Sequence, residues 1–193
     1  MTTVLLAGFE PFGTATSNPS GEIVKQISGE NIVKAILPVA YAGSAERLLA
    51  LIAEHNPDVV ICLGQAEGRT QITPEKVAIN LDDARLADNE GVLRNDVKIL
   101  EDGSDAYFTT LPINKMVEAI KAKGVPAAVS LSAGAFLCNH VFYVAQNKFV
   151  GTKVRSGFVH VPLMDSQAPE FPGMPTMPLD QMITAVRAML EVL

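Results

Sequence analysis

One thiol in this chain stands where a protein could use it. Cys138 lies in Gly134-Ala135-Phe136-Leu137-Cys138-Asn139-His140. Residues 127–131 ahead of it are apolar and partly β-branched, the pattern of a buried strand. Residues 141–149 behind it repeat apolar side chains near helical spacing. Cys138 therefore falls at a strand-to-helix junction, close to a helix N-terminus, whose unpaired N–H groups favour a thiolate. A thiol so placed can act as a nucleophile, and the same residue type also packs as a small buried hydrophobe.

A nucleophilic thiol needs a base, and the base needs a group that orients it. The chain has only three histidines. His55 ends a predicted helix and reads as a solvated cap. His140 is two residues from Cys138, a spacing at which side chains diverge on a helix, so it reads as a packing or supporting residue. His160 sits in an apolar strand pattern before Pro162. On spacing alone it reads as a core histidine satisfied by a backbone carbonyl, with the base as the alternative. Thr73-Pro74-Glu75 has the form of a helix start, with Thr73 as cap and Pro74 at the first position. Asp82, Asp83, Asp88 and Glu90 form an acidic cluster that reads as solvated surface. No HxH or HExxH spacing is present, and the two cysteines, Cys62 and Cys138, fit no zinc pattern. No metal or cofactor is expected.

The elements that must position these residues alternate. Strand patterns cover residues 4–8, 32–39, 59–64, 77–81 and 157–162, the last stopped by Pro162. Helical patterns cover residues 22–27 after Asn18-Pro19-Ser20-Gly21, 44–55 with Ser44 as N-cap, 113–123 ending at Gly124, and 179–193. Phe9-Glu10-Pro11-Phe12-Gly13 breaks the first strand into a loop at its C-terminal end, where open α/β sheets gather their ligands. Residues 82–105 are charged and weakly patterned, an excursion or a lid, and residues 167–177 carry Pro169, Pro172 and Pro175 and read as loop. The expected architecture is a single-domain three-layer α/β/α sandwich over residues 1–193, with a mostly parallel twisted sheet.

Composition narrows the partners. A net charge of −6 and the lack of any basic cluster argue against nucleic acid. No apolar run reaches the roughly 18 residues of a membrane span. Thr2-Thr3-Val4-Leu5-Leu6 runs straight into a strand pattern with no basic leader region. Reduced thiols in the cytoplasm are the expectation.

Taken in order, several stretches resemble the pyroglutamyl peptidase type I (pyrrolidone-carboxylate peptidase) family of cysteine exopeptidases. They are Gly8-Phe9-Glu10-Pro11-Phe12-Gly13, Asn18-Pro19-Ser20, Gly64-Gln65-Ala66-Glu67-Gly68-Arg69, Ile72-Thr73-Pro74-Glu75-Lys76-Val77-Ala78-Ile79-Asn80, Asp83-Ala84-Arg85, Asp88-Asn89-Glu90-Gly91, Ser132-Ala133-Gly134-Ala135-Phe136-Leu137-Cys138-Asn139-His140 and Gly157-Phe158-Val159-His160-Val161-Pro162. The resemblance implies a triad with Cys138 as nucleophile, His160 as base and Glu75 as its orienter. It implies an oxyanion site at the Cys138 backbone N–H, with Arg85 contributing. It implies removal of N-terminal pyroglutamate from peptides through an acyl-enzyme. The uncharged, flat lactam would sit among Phe9, Phe12 and Phe136, with contacts from Gln65 and the backbone at Leu137, and with Asn18 bracing the aromatic loop. It further implies a homotetramer. Two features depart from the family: Glu67 replaces a usual glycine, and the segment after Asp165 is short and rich in Met and Pro. Two other readings share the fold class: a nucleoside phosphorylase-like enzyme, for which residues 64–68 lack a phosphate-cradle spacing, and a non-catalytic lactam binder. Cys62, inside a strand pattern, reads as an inert buried thiol.

Overall fold

The computed structural model describes residues 2–193. The central five-stranded sheet is built from β1 (Val4–Phe9), β2 (Ile32–Leu37), β3 (Val59–Gln65), β7 (Arg155–Val161) and the two-residue β4 (Thr73–Pro74), in the order β2-β1-β3-β7-β4. All neighbours are parallel except β4, which runs antiparallel to β7. The central strands are buried on both faces, which is why they read as continuous apolar runs. Alternation still sorts their side chains. Val4 and Leu6 of β1 enter one core with α1 (Pro19–Gln26), α3 (Ile113–Ala122) and α5 (Leu179–Leu190). Leu5, Ala7 and Phe9 enter the other, under α2 (Tyr41–His55) and α4 (Leu137–Lys148). The result is the expected mostly parallel sheet with helices on both faces.

Local expectations fare unevenly. Asn18 caps α1, its side chain accepting from the Ser20 backbone, with Pro19 at the first position. Ser44 is not the cap of α2: the helix begins earlier, Ala40 is its N-cap without a side-chain bond, and the buried Ser44 hydroxyl donates to the Tyr41 carbonyl. The cap comes from elsewhere in the chain, since the Asp88 carboxylate accepts from the Tyr41 N–H at 2.9 Å. The acidic cluster is thus not all solvated: Asp82 and Asp88 are buried.

Residues 82–105 form the long connection of a hairpin whose strands, β5 (Val77–Ile79) and β6 (Ala106–Phe108), pair antiparallel. Thr73-Pro74-Glu75 starts no helix. It is extended, with Thr73 opposite His160 and Pro74 opposite Val159. Residues 127–131 are likewise not a central strand. They run along the edge beside β4, where Ala128 and Ser130 donate to the Ile72 and Pro74 carbonyls and Lys76 donates to Ser130. Pro74 has no N–H to give, so the ladder is interrupted there and only isolated bridges remain. Leu131 at the end of that stretch is exposed. Beyond β7, β8 (Leu163–Met164) leads into a 3-10 turn (Asp165–Gln167), and the proline-rich loop ends in β9 (Thr176–Met177), parallel to β8.

Candidate active site

Cys138 is the second residue of α4, after Phe136 as N-cap and Leu137. The carboxyl ends of β1, β3 and β7 lie beneath it. Gly64, near the end of β3, is opposite His160 of β7. A β-carbon on Gly64 would meet the Cys138 Sγ at 2.9 Å and the Phe158 ring at 2.6 Å. Glycine is therefore required at this position, and Cys138 and His160 converge on it from the helix and the adjacent strand.

The antiparallel strap β4 delivers the carboxylate. Glu75 N–H donates to the Phe158 carbonyl, and Glu75 Oε1 lies 2.7 Å from His160 Nδ1. Both residues are buried. The same oxygen is 2.9 Å from the Arg69 guanidinium. Arg69 also bonds the Thr73 hydroxyl and the Ser132 carbonyl, tying the loop after β3 to the edge of the sheet. No role for Arg69 follows from its sequence position, although it is the one cation in the Gly64-to-Arg69 stretch. Arg85, expected near the oxyanion, is on the exposed surface, and none of the hydrogen bonds or ion pairs among the described residues involves it.

The electrostatics correct the expected thiolate. Crowding by protein pushes the Cys138 thiol up to about 12, with the Glu75 charge adding to the rise. Arg69 and the backbone N–H at the helix start pull the other way and lose. Burial also lowers the His160 imidazole from its ordinary 6.5, against the upward pull of Glu75. These effects favour a thiol beside a neutral imidazole. Such a pair can act by general-base transfer, the imidazole taking the proton as sulfur attacks and the carboxylate steadying the imidazolium that forms.

A small cavity of about 50 Å³ opens beside the thiol. It has room for a small group and not for a large ligand. Phe9, Phe12, Val39, Phe136 and Leu137 make its apolar walls, and Cys138 closes it. Two polar residues line it, Asn18 and Gln65. Asn18 is committed to the protein: its Nδ2 donates to the Glu10 carbonyl and its Oδ1 accepts from Ser20. Gln65 is committed only at its oxygen, which accepts from Gln167 Nε2; its Nε2 is buried without a partner. Val39 was not marked by its sequence pattern, where it is the last apolar residue of the 32–39 strand reading; β2 ends at Leu37 and Val39 lies beyond it.

A second constellation lies behind the helix. His140 Nδ1 is 2.8 Å from Asp82 Oδ2, which also pairs with Arg94 at 2.7 Å. It ties residues 82–105 to α4. His140 is bonded to Asp82, while Glu75 is bonded to His160. Cys62 is buried, and burial raises its thiol to about 12. Among the described residues no cluster of His, Cys, Asp or Glu could hold a metal, and no helix is long and apolar enough to cross a membrane.

Fold and site together define an α/β protein with a thiol, an imidazole and a carboxylate gathered at the carboxyl ends of its strands. The chain belongs to the pyroglutamyl peptidase family, whose model matches residues 2–193. It is 48% identical over 186 residues to the pyrrolidone-carboxylate peptidase of Aliivibrio fischeri, covering 94% of this chain and 87% of that one. It is 42% identical over 199 residues to the protein of that name from Bacillus cytotoxicus, covering 100% of this chain and 93% of the other. Among solved structures, pyroglutamyl peptidase I of Bacillus amyloliquefaciens superposes with a TM-score of 0.93 at 43% identity, covering 97% of this chain and 92% of that one. The pyrrolidone carboxyl peptidase of Pyrococcus furiosus superposes with a TM-score of 0.95 at 36% identity, covering 98% and 97%.

Proposed function

We propose that this protein is a cysteine exopeptidase that hydrolyses the amide bond after an N-terminal pyroglutamyl residue. The observation that carries the reading is the junction of two features: the Cys138 thiol against Gly64, the residue opposite His160 of the bonded His160–Glu75 pair, and an adjoining small apolar pocket lined by Gln65, whose Nε2 is buried without a partner. Cys138 Sγ attacks the pyroglutamyl carbonyl while its proton passes to His160 Nε2. Glu75 holds Nδ1 and so fixes the tautomer. The oxyanion is met by the Cys138 backbone N–H at the start of α4. His160 then protonates the leaving amine, and the C–N bond breaks to leave a thioester. Water, deprotonated by His160, hydrolyses the thioester and returns free pyroglutamate and thiol. Arg69 pairs with the same Glu75 oxygen and holds the carboxylate in place. Arg85 contributes to the oxyanion only if its exposed side chain folds over bound substrate.

The lactam lies between Phe9, Phe12 and Phe136, with the backbone at Leu137 and the Gln65 amide meeting its polar edge. An uncharged lactam needs no ionic anchor, in keeping with the pocket's apolar walls. We further propose a cytoplasmic homotetramer. Two free cysteines suit a reducing compartment, and exposed Phe108, Leu131 and Val150 offer apolar surface for assembly.

The deciding measurement is hydrolysis of a chromogenic pyroglutamyl amide under reducing conditions, with wild type and Cys138→Ser side by side. Turnover by the wild type, abolished by iodoacetamide and reduced at least about 10³-fold in Cys138→Ser, is expected. Turnover that survives the substitution overturns the nucleophile. Tight lactam binding by a folded wild type without turnover would make the protein a binder, and a requirement for phosphate would make it a phosphorylase.

A further inference from the structure

Gln167 ends the 3-10 turn after β8, fully buried. Its Oε1 accepts from the Met164 backbone N–H at 2.9 Å. A backbone N–H can only donate, so this contact settles which end of the Gln167 amide carries oxygen. Its Nε2 donates to the Ser17 carbonyl at 3.1 Å, a group that can only accept. The remaining N–H faces Gln65 Oε1 at 3.0 Å. Gln65 must therefore turn its oxygen towards Gln167, and its Nε2 is left buried and unpartnered, on a residue that lines the pocket. Two backbone groups thus dictate, through two side-chain amides, that the unpaired end of the Gln65 amide is a donor and not an acceptor.

We infer that Gln167 is a positioning residue for substrate selection: its hydrogen bonds lock the Gln65 amide with N–H facing the pocket, so that the site takes a five-membered ring bearing a carbonyl and rejects the same ring without one. This inference rests on the exopeptidase reading of the site. A pyroglutamyl ring offers the carbonyl that the donor lacks. A prolyl ring has a methylene there and leaves the buried N–H unpaired, the arrangement by which a polar pocket discriminates strongly. Gln167→Glu reverses the relay. A carboxylate still accepts from Met164 but has nothing to donate to Gln65, whose amide then turns its N–H towards the new charge and its oxygen into the pocket.

Gln167 also braces the loop that carries Phe12 and Asn18, and Glu170 does the same by accepting from both the Thr16 N–H and hydroxyl at 2.9 Å. A purely structural loss must therefore be separated from lost selection. The experiment measures kcat/KM for pyroglutamyl and prolyl aminocoumarin amides in wild type, Gln167→Glu, Gln167→Met and Glu170→Ala. Wild-type cleavage of the pyroglutamyl amide comes first; without it the exopeptidase reading falls, and this inference falls with it. Given that cleavage, the pyroglutamyl-to-prolyl ratio is expected to drop roughly ten- to a hundred-fold in Gln167→Glu. The loss should fall mainly on KM for the pyroglutamyl amide, with the pH profile and the iodoacetamide rate unmoved. Gln167→Met, which fills the space without bonding, should lower the ratio less, and Glu170→Ala should slow both substrates in parallel. A parallel loss of both substrates in Gln167→Glu, or an unchanged ratio, overturns the inference while leaving the exopeptidase reading intact. If Gln167→Glu does not fold, an unchanged ratio in Gln167→Met overturns it equally.

Discussion

At the scale of single residues, the site's chemistry turns on which of two opposed effects governs Cys138. The helix start and Arg69 favour a thiolate, while burial and the Glu75 charge oppose it, and the opposition wins. The sign for pH dependence follows. As the proposed base, His160 has to be neutral to accept the proton, and its pKa is displaced below 6.5, so kcat/KM should hold through neutrality and fall only as pH drops through that lowered value. The thiol should ionise only near its raised pKa of about 12. Alkylation of the free enzyme by iodoacetamide should therefore keep accelerating past about pH 9, with no plateau near neutrality. A stopped-flow pH series reads this directly, and a plateau between about pH 6 and 8 would show a preformed thiolate–imidazolium pair instead.

At the scale of elements, the site exists because three strand ends, one helix start and one edge strap meet. β3 and β7 bring Gly64 opposite His160, α4 seats Cys138 over Gly64, and β4 hangs Glu75 beside the imidazole. Gly64 is where this convergence is tightest. Gly64→Ala would place a methyl within 2.6 Å of the Phe158 ring and 2.9 Å of the thiol. Phe158 lies fully buried between Phe9 and Phe142, so it has little room to retreat. The expected outcome is a loss of about 1–3 kcal/mol in urea unfolding together with a larger relative loss of turnover, since the displaced atoms include the proposed nucleophile. Full activity in a folded Gly64→Ala would show that Sγ does not rest against β3. The Asp82–His140–Arg94 cluster serves the same end from behind, pinning residues 82–105 to the helix that carries Cys138.

At the scale of the whole molecule, the sheet divides two apolar cores, one under α1, α3 and α5 and one under α2 and α4. Leu5 and Leu6, adjacent in β1 and both fully buried, belong to opposite cores. The site therefore sits at the rim of a sheet packed on both faces. On the outer surface, Phe108 is 68% exposed and Leu131 73%. Sedimentation at micromolar protein should give the mass of four chains, and Leu131→Asp should shift it towards smaller species if that edge is part of the contact. A single-chain mass for the wild type would remove the tetramer from the proposal.

Much of this was legible in the residues themselves. Continuous apolar runs marked β1, β3 and β7, because strands buried on both faces have no polar side to alternate with. Asn18-Pro19 marked the start of α1, because capping is a local hydrogen-bond pattern. The motif series marked Cys138, His160 and Glu75 by resemblance. What sequence could not supply was whatever depends on partners distant in the chain. Thr73-Pro74-Glu75 fits a helix start locally, but pairing with β7 draws it out into a strap. Asp88 looks solvated until it caps a helix whose first residue is 47 positions away. The thiol's ionisation, the pairing of Arg69 with Glu75, and the amide relay from Gln167 to Gln65 across 102 positions were decided only by the tertiary structure. Desolvation and hydrogen-bond direction belong to the space around a group, and folding alone fills that space.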